Sequence, residues 1–191
     1  EVLHNWLGDI ENIGCSISID TGPLAGRKIF VYAGNMGVAQ GMDGMLDVIE
    51  RLDLSRDDIG FLLIGRGSEV RALRLAGAKR NLSNLLVLDE IPNHEIPGLY
   101  KQCHFGLVFL DARHRTHNIP GKFISYMKSG LPVLACINEG NDLFELIETN
   151  KVGRAYVGIC GDRVFTGITE MVDSLRGDFD TPNNCRDLAA R

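Results

Sequence analysis

Six short apolar runs, each of strand length, alternate along this chain with stretches of helical spacing. They fall at 28–33, 60–64, 85–88, 105–110, 132–136 and 153–157. The first, KIFVYA, is β-branched and aromatic from Ile29 to Tyr32. A strand that is apolar on both faces must be covered on both faces, and that is the signature of a buried parallel sheet. Between the first two runs, Met45, Leu46, Ile49 and Leu52 recur at helical spacing. The spacing predicts helices over 42–53, 68–80, 93–103, 121–129, 142–150 and 161–176, with Asn93 as an N-cap and Gly130 as a C-cap signal. Pro120 suits a first helical turn, where its missing N–H does no harm. The pattern specifies an α/β fold: a doubly wound, mostly parallel sheet of about six strands, Rossmann-like, with helices on both sides. Residues 28–176 hold the repeat. Residues 1–27 read as a connector and 177–191 as a tail.

An apolar content of 45% over 191 residues is ample for one core and too little for two domains of this type. The net charge of −5 argues against non-specific nucleic-acid binding. No apolar run is long enough to span a membrane, and residues 1–30 lack the pattern of a secretory leader. Cys15, Cys103, Cys136, Cys160 and Cys185 are scattered and odd in number, which fits reduced thiols better than disulfides or zinc. A cytoplasmic protein is expected.

In such sheets ligands bind beyond the carboxyl ends of the strands. The loop after the first strand, Gly34 to Gly41, is glycine-rich and leads into a helix, which suits a phosphate as well as it suits a bare tight turn. Its spacing is G-x-x-G-x-x-x-G, and the second strand ends in Gly65-Arg66-Gly67 without a carboxylate, so a dinucleotide site is disfavoured. Gly121-Lys122-Phe123 lacks the Ser or Thr of a P-loop. Lys122 nevertheless stands in the first turn of a predicted helix, where a cation opposes the helix dipole. A bound anion accounts for it there better than a solvated surface lysine does, though both readings stay open. His114 and His117 share one polar loop, but no carboxylate or Cys completes a metal set. Asp43, Asp47 and Glu50 read as the solvated face of the first helix.

Taken in order, these stretches carry a resemblance. Asn35-Met-Gly37, Gln40-Gly41-Met42-Asp43, Leu63-Ile-Gly65-x-Gly67, Ile119-Pro120-Gly121-Lys122-Phe123 and Tyr126-Met127-Lys-Ser-Gly130-Leu-Pro132-Val133 resemble the group 1 (family 4) glycosyltransferases over residues 28 to 157. His4-Asn5-Trp6 is similar to a segment of the WbuB-like enzymes of O-antigen and capsule assembly. The resemblance implies the C-terminal, donor-binding half of a two-domain GT-B enzyme. It implies retaining transfer from a nucleoside-diphosphate sugar, a UDP-N-acetylamino sugar first, with no metal or other cofactor. The implied diphosphate contacts are Asn35, Gly37, Gln40, Gly41, Arg66, Asn118, Gly121 and Lys122. Ile91 and Ser125 would take base and ribose, and His117, Ile119 and Pro120 the sugar. Members of the family usually carry Arg at position 35, Lys at position 40 and Glu at positions 117 and 125. Implied partners are the donor, an N-terminal acceptor domain of the same protein and a saccharide or lipid-linked saccharide, but no nucleic acid. The full enzyme would sit at the inner face of the cytoplasmic membrane, and this part alone would bind donor without transferring. Two rivals stay open: a degenerate nucleotide-binding module, and a nucleotide-sugar 2-epimerase, which needs more carboxylates than these loops supply.

Overall fold

The computed structural model describes residues 14–111, 119–159, 161–175 and 181–190, apart from the side chain of Asp43. Six strands form one parallel sheet: β1 (Lys28–Asn35), β2 (Ile59–Arg66), β3 (Leu85–Leu88), β4 (Phe105–Phe109), β5 (Val133–Ile137) and β6 (Gly153–Val157), in the order β3-β2-β1-β4-β5-β6. This is the Rossmann-like α/β architecture that the alternation of apolar runs specifies. The chain winds outward from β1 to one edge, then returns to the centre and winds to the other. Loops after β1 and β4 therefore diverge at the switch point.

Strand period two explains the two cores. Phe30, Tyr32, Phe61 and Leu63 point to one face, against α1 (Asp43–Asp53), α2 (Val70–Lys79) and α6 (Gly161–Ser174). Ile29, Val31, Leu62 and Ile64 point to the other, against α3 (Ile96–Tyr100), α4 (Gly121–Ser129), α5 (Leu143–Asn150) and α7 (Thr181–Ala189). Phe30 stacks between Phe61 and Phe105, with ring centroids 5.5 and 4.5 Å away, and all three are buried. Truncating such a ring to Ala costs about 3–5 kcal/mol, so this aromatic row fixes β2, β1 and β4 as neighbours.

Four local expectations change. Asn93 does not cap a helix: Pro92, extended at φ −53° and ψ 137°, holds that position, and a 3-10 turn at Asn93–Glu95 precedes the five-residue α3. The helical stretch ends at Tyr100, where Leu99 and Tyr100 are already buried, and does not continue to Cys103. Pro120 lies just before α4 in extended conformation (φ −63°, ψ 134°) and not inside its first turn. The span read as a tail contains α7, which packs on α4 and α5 and buries Cys185. Gly130 ends α4 with φ +71°, as its C-cap signal implied, and a Cβ there would also press on the Arg186 guanidinium of α7, 2.7 Å away. Asp47 and Glu50 of α1 do face solvent, and both pair with Arg80 at 2.6 and 2.9 Å. Among the described residues, four cysteines are free and no three His, Cys, Asp or Glu side chains cluster as metal ligands. No described helix is long and apolar enough to cross a membrane.

Candidate functional site

A cleft of about 370 Å³ opens at the carboxyl ends of β1 and β2, with α3 and α4 as its other walls. β1 contributes Gly34 and Asn35, β2 contributes Gly65 and Arg66, and the stretch after β3 contributes Glu90 and Ile91. Lys122 and Ser125 reach in from α4. Gly65 is what lets the strand ends approach: at φ +151°, a Cβ there would run into the Gly34 carbonyl. A larger cavity, about 660 Å³, sits at the opposite end, near Phe105, Pro132 and Gly153 at the starts of β4 to β6. Size alone favours it. Strand starts, however, offer neither the strand-to-helix loops nor the helix N-termini that hold ligands in this architecture, so the smaller cleft is the candidate.

Lys122 dominates that cleft. Its Nζ donates to the Tyr32 hydroxyl at 3.0 Å and stands 4.5 Å from the centroid of the Tyr32 ring. The Tyr32 hydroxyl in turn donates to the Asn35 carbonyl at 2.6 Å. Among the described residues no carboxylate pairs with Lys122. Burial pushes its ammonium down from the ordinary 10.5 to about 8. The same burial pushes the Tyr32 phenol up, so Tyr32 stays a neutral partner. At pH 7 the cleft therefore carries a mostly protonated, poorly compensated cation at the N-terminus of a helix. Of the first N–H groups of α4, that of Phe123 is donated back to the Pro120 carbonyl at 2.9 Å; a helix start with a cation beside it is an arrangement that accepts an anion.

The glycine loop behaves differently. Gly37 N–H donates to Gln40 Oε1 at 2.7 Å, Gln40 N–H to the Gly37 carbonyl at 3.1 Å, and Gly41 N–H to the Val38 carbonyl at 3.1 Å. Three of the donors expected to face a phosphate are spent inside the loop. Gly41 (φ +57°) is also packed on Asp111, whose Cα would lie 3.3 Å from an added Cβ, and Asp111 N–H donates to the Ala39 carbonyl at 2.9 Å. Gly37, Gln40 and Gly41 thus hold the loop shut and anchor it on the end of β4, and none of them lines the cleft.

The remaining expected residues divide. Asn35, Arg66, Ile91, Lys122 and Ser125 come together in the cleft. Arg66 already has a neighbour, with its Nε 3.6 Å from Glu90 Oε2. Ser125 Oγ donates to the Gly121 carbonyl at 3.3 Å. Ile119, Pro120 and Gly121 stand outside the lining, and a Cβ on Gly121 would meet nothing within 4 Å. His114, His117 and Asn118 lie outside the described residues.

A family model described as glycosyl transferases group 1 matches residues 27–162. The chain belongs to the group 1 glycosyltransferases. Its sheet and helices match those of GT-B glycosyltransferases. Probable glycosyltransferase WbjE of Pseudomonas aeruginosa is 23% identical over 128 residues, 67% of this chain and 32% of that protein. The chain thus spans about a third of the length of this curated relative. Anabaena HepE, solved in complex with UDP-glucose, superimposes with a TM-score of 0.68 at 15% identity over 87% of this chain and 44% of its own. WaaG, a glycosyltransferase involved in lipopolysaccharide biosynthesis, gives 0.65 at 14% identity over 86% and 43%.

For this glycosyltransferase domain, sequence reasoning missed Tyr32 as the partner of Lys122 and counted Glu90 only among the few carboxylates of the strand-end loops. Tyr32 reads as one more core aromatic in KIFVYA, and only its place near the end of β1 hints that its hydroxyl reaches a polar rim. Glu90 lies two residues past β3, a strand-end position open to a ligand-facing carboxylate.

Proposed function

We propose that this chain is the donor-binding domain of a retaining glycosyltransferase that uses a nucleoside-diphosphate sugar, a UDP-N-acetylamino sugar in first place. The observation that carries the reading is Lys122: a part-buried cation with no carboxylate partner among the described residues, at a helix N-terminus, in the strand-end cleft. When the bond between the sugar and the diphosphate breaks, negative charge grows on the leaving diphosphate. In this reading Lys122 and the positive end of α4 would stabilise it, without a metal. Ile91, in the lining, would meet the base, and Ile119 and Pro120, outside it, would meet the sugar. HepE's complex with UDP-glucose supports uridine as the base, and WaaG supports a role in surface polysaccharide assembly, as expected of the WbuB-like subgroup. The acceptor, a saccharide or lipid-linked saccharide, would be presented by an N-terminal domain at the inner membrane face.

A degenerate binding module is the second reading. It is supported by Gln40, which closes its own loop, and by Ser125, whose hydroxyl is turned to the Gly121 carbonyl. An epimerase would need several carboxylates in the cleft, and its described lining holds one, Glu90. Calorimetric titration of this chain with UDP, UDP-N-acetylglucosamine and GDP-mannose tests the proposal. Millimolar or tighter binding of a uridine nucleotide, lost in Lys122→Ala, is expected. Binding of none of the three contradicts it.

A further inference from the structure

Besides Lys122, the cleft holds a second charged group, the pair Arg66 and Glu90. In a dinucleotide-binding sheet, the tip of the second strand carries the carboxylate that takes a ribose hydroxyl. Here that tip carries Arg66, a cation, and a carboxylate stands one strand further out, at Glu90. Glu90 is the one carboxylate among the described lining residues. It is held near Arg66, with Oε2 3.6 Å from Nε, and the two side chains are 58% and 77% exposed. An ion pair this long and this wet binds its partners weakly, so Glu90 can exchange Arg66 for a ligand at little cost. The alternative ribose contact, Ser125, has its hydroxyl proton directed to the Gly121 carbonyl and offers only one oxygen. A vicinal diol presents two O–H donors, and an ionised carboxylate presents two acceptor oxygens with no proton of its own.

We infer that Glu90 is the residue of this cleft that accepts the 2′- and 3′-hydroxyls of the donor's ribose, with Arg66 steering its carboxylate. The inference rests on the donor-cleft reading above. It gives the cleft two chemically distinct ends: Lys122 for the diphosphate and Glu90 for the diol. It also makes Arg66 a positioning residue for Glu90 before it is a phosphate contact.

The test compares UDP with 2′,3′-dideoxy-UDP on this chain and on Glu90→Gln and Ser125→Ala, by calorimetry. Hydrogen bonds to a charged acceptor predict a preference for UDP on the order of tenfold in the unaltered chain. In Glu90→Gln, which keeps the shape and one acceptor oxygen, the preference should shrink to roughly twofold. In Ser125→Ala it should persist. The ratio of the two ligands cancels any general electrostatic gain from removing a carboxylate near a diphosphate. A preference that survives Glu90→Gln, or that Ser125→Ala alone abolishes, overturns the assignment. Equal binding of the two ligands by the unaltered chain overturns it while leaving the donor reading intact. Failure of UDP to bind at all overturns both.

Discussion

The loop after β1 and the start of α4 flank the same end of the sheet, and both carry glycines that suit an anion, yet they settle their polar groups in opposite ways. In the first, the N–H groups of Gly37, Gln40 and Gly41 are all donated within the loop. In the second, Lys122 is part-buried with the Tyr32 hydroxyl and ring for company and, among the described residues, no counter-charge. Glycine density reports how tightly a backbone turns and how closely neighbours pack, as Gly41 does against Asp111. A buried charge without its opposite reports that something is to be bound, because leaving it so opposes folding.

That contrast is testable through stability and binding together. The largest effect concerns Lys122 itself. Its folded value, about 8, lies below the ordinary 10.5, so the unfolded chain holds the extra proton between those values. The cost of burying the charge is therefore full below pH 8 and fades as the pH rises to 10.5. Lys122→Met should accordingly be more stable than the unaltered chain by up to roughly 3 kcal/mol at pH 7, with the gap closing by pH 10.5. Urea denaturation at the two pH values checks it, and a less stable Lys122→Met would show that the lysine is not strained.

Next, Lys122→Gln should weaken UDP binding on the order of tenfold or more, the worth of a charge-assisted hydrogen bond in a partly buried site. Gly41→Ala comes third: a left-handed φ and contact with Asp111 should cost roughly 1–2 kcal/mol in thermal unfolding. Gln40→Ala is the smallest. Loss of its bond to Gly37 should lower stability by about 1 kcal/mol and change UDP affinity less than about twofold. A large loss of affinity in Gln40→Ala would erase the distinction between the two loops.

How much of this was legible in the sequence follows from what each signal encodes. The six strands were visible because each is a short apolar run buried on both faces, and β1 to β6 fall within a few residues of those runs. Helix α7 was not visible. Its nine residues are mostly polar, and it buries Cys185 through packing on α4 that no local pattern announces. Lys122 could be singled out because a cation at a helix start violates a local electrostatic rule. Its partner Tyr32 could not, since a strand aromatic looks the same whether or not its hydroxyl meets a lysine 90 residues away. The role of Gln40 was hidden for a similar reason: a side chain bonded to its own loop and one reaching for phosphate share one sequence.

The central claim is that Lys122 is the cation of a nucleoside-diphosphate site, and the dependence of UDP affinity on pH tests it most directly. A bound diphosphate favours the charged lysine, so binding takes up a proton once the free ammonium begins to deprotonate near pH 8, while Tyr32 stays neutral. UDP affinity of this chain should be level below pH 7.5 and fall roughly fivefold between pH 8 and pH 9, whereas Lys122→Gln should be weak and flat throughout. A pH-independent affinity in the unaltered chain, or the same slope in Lys122→Gln, would contradict the account.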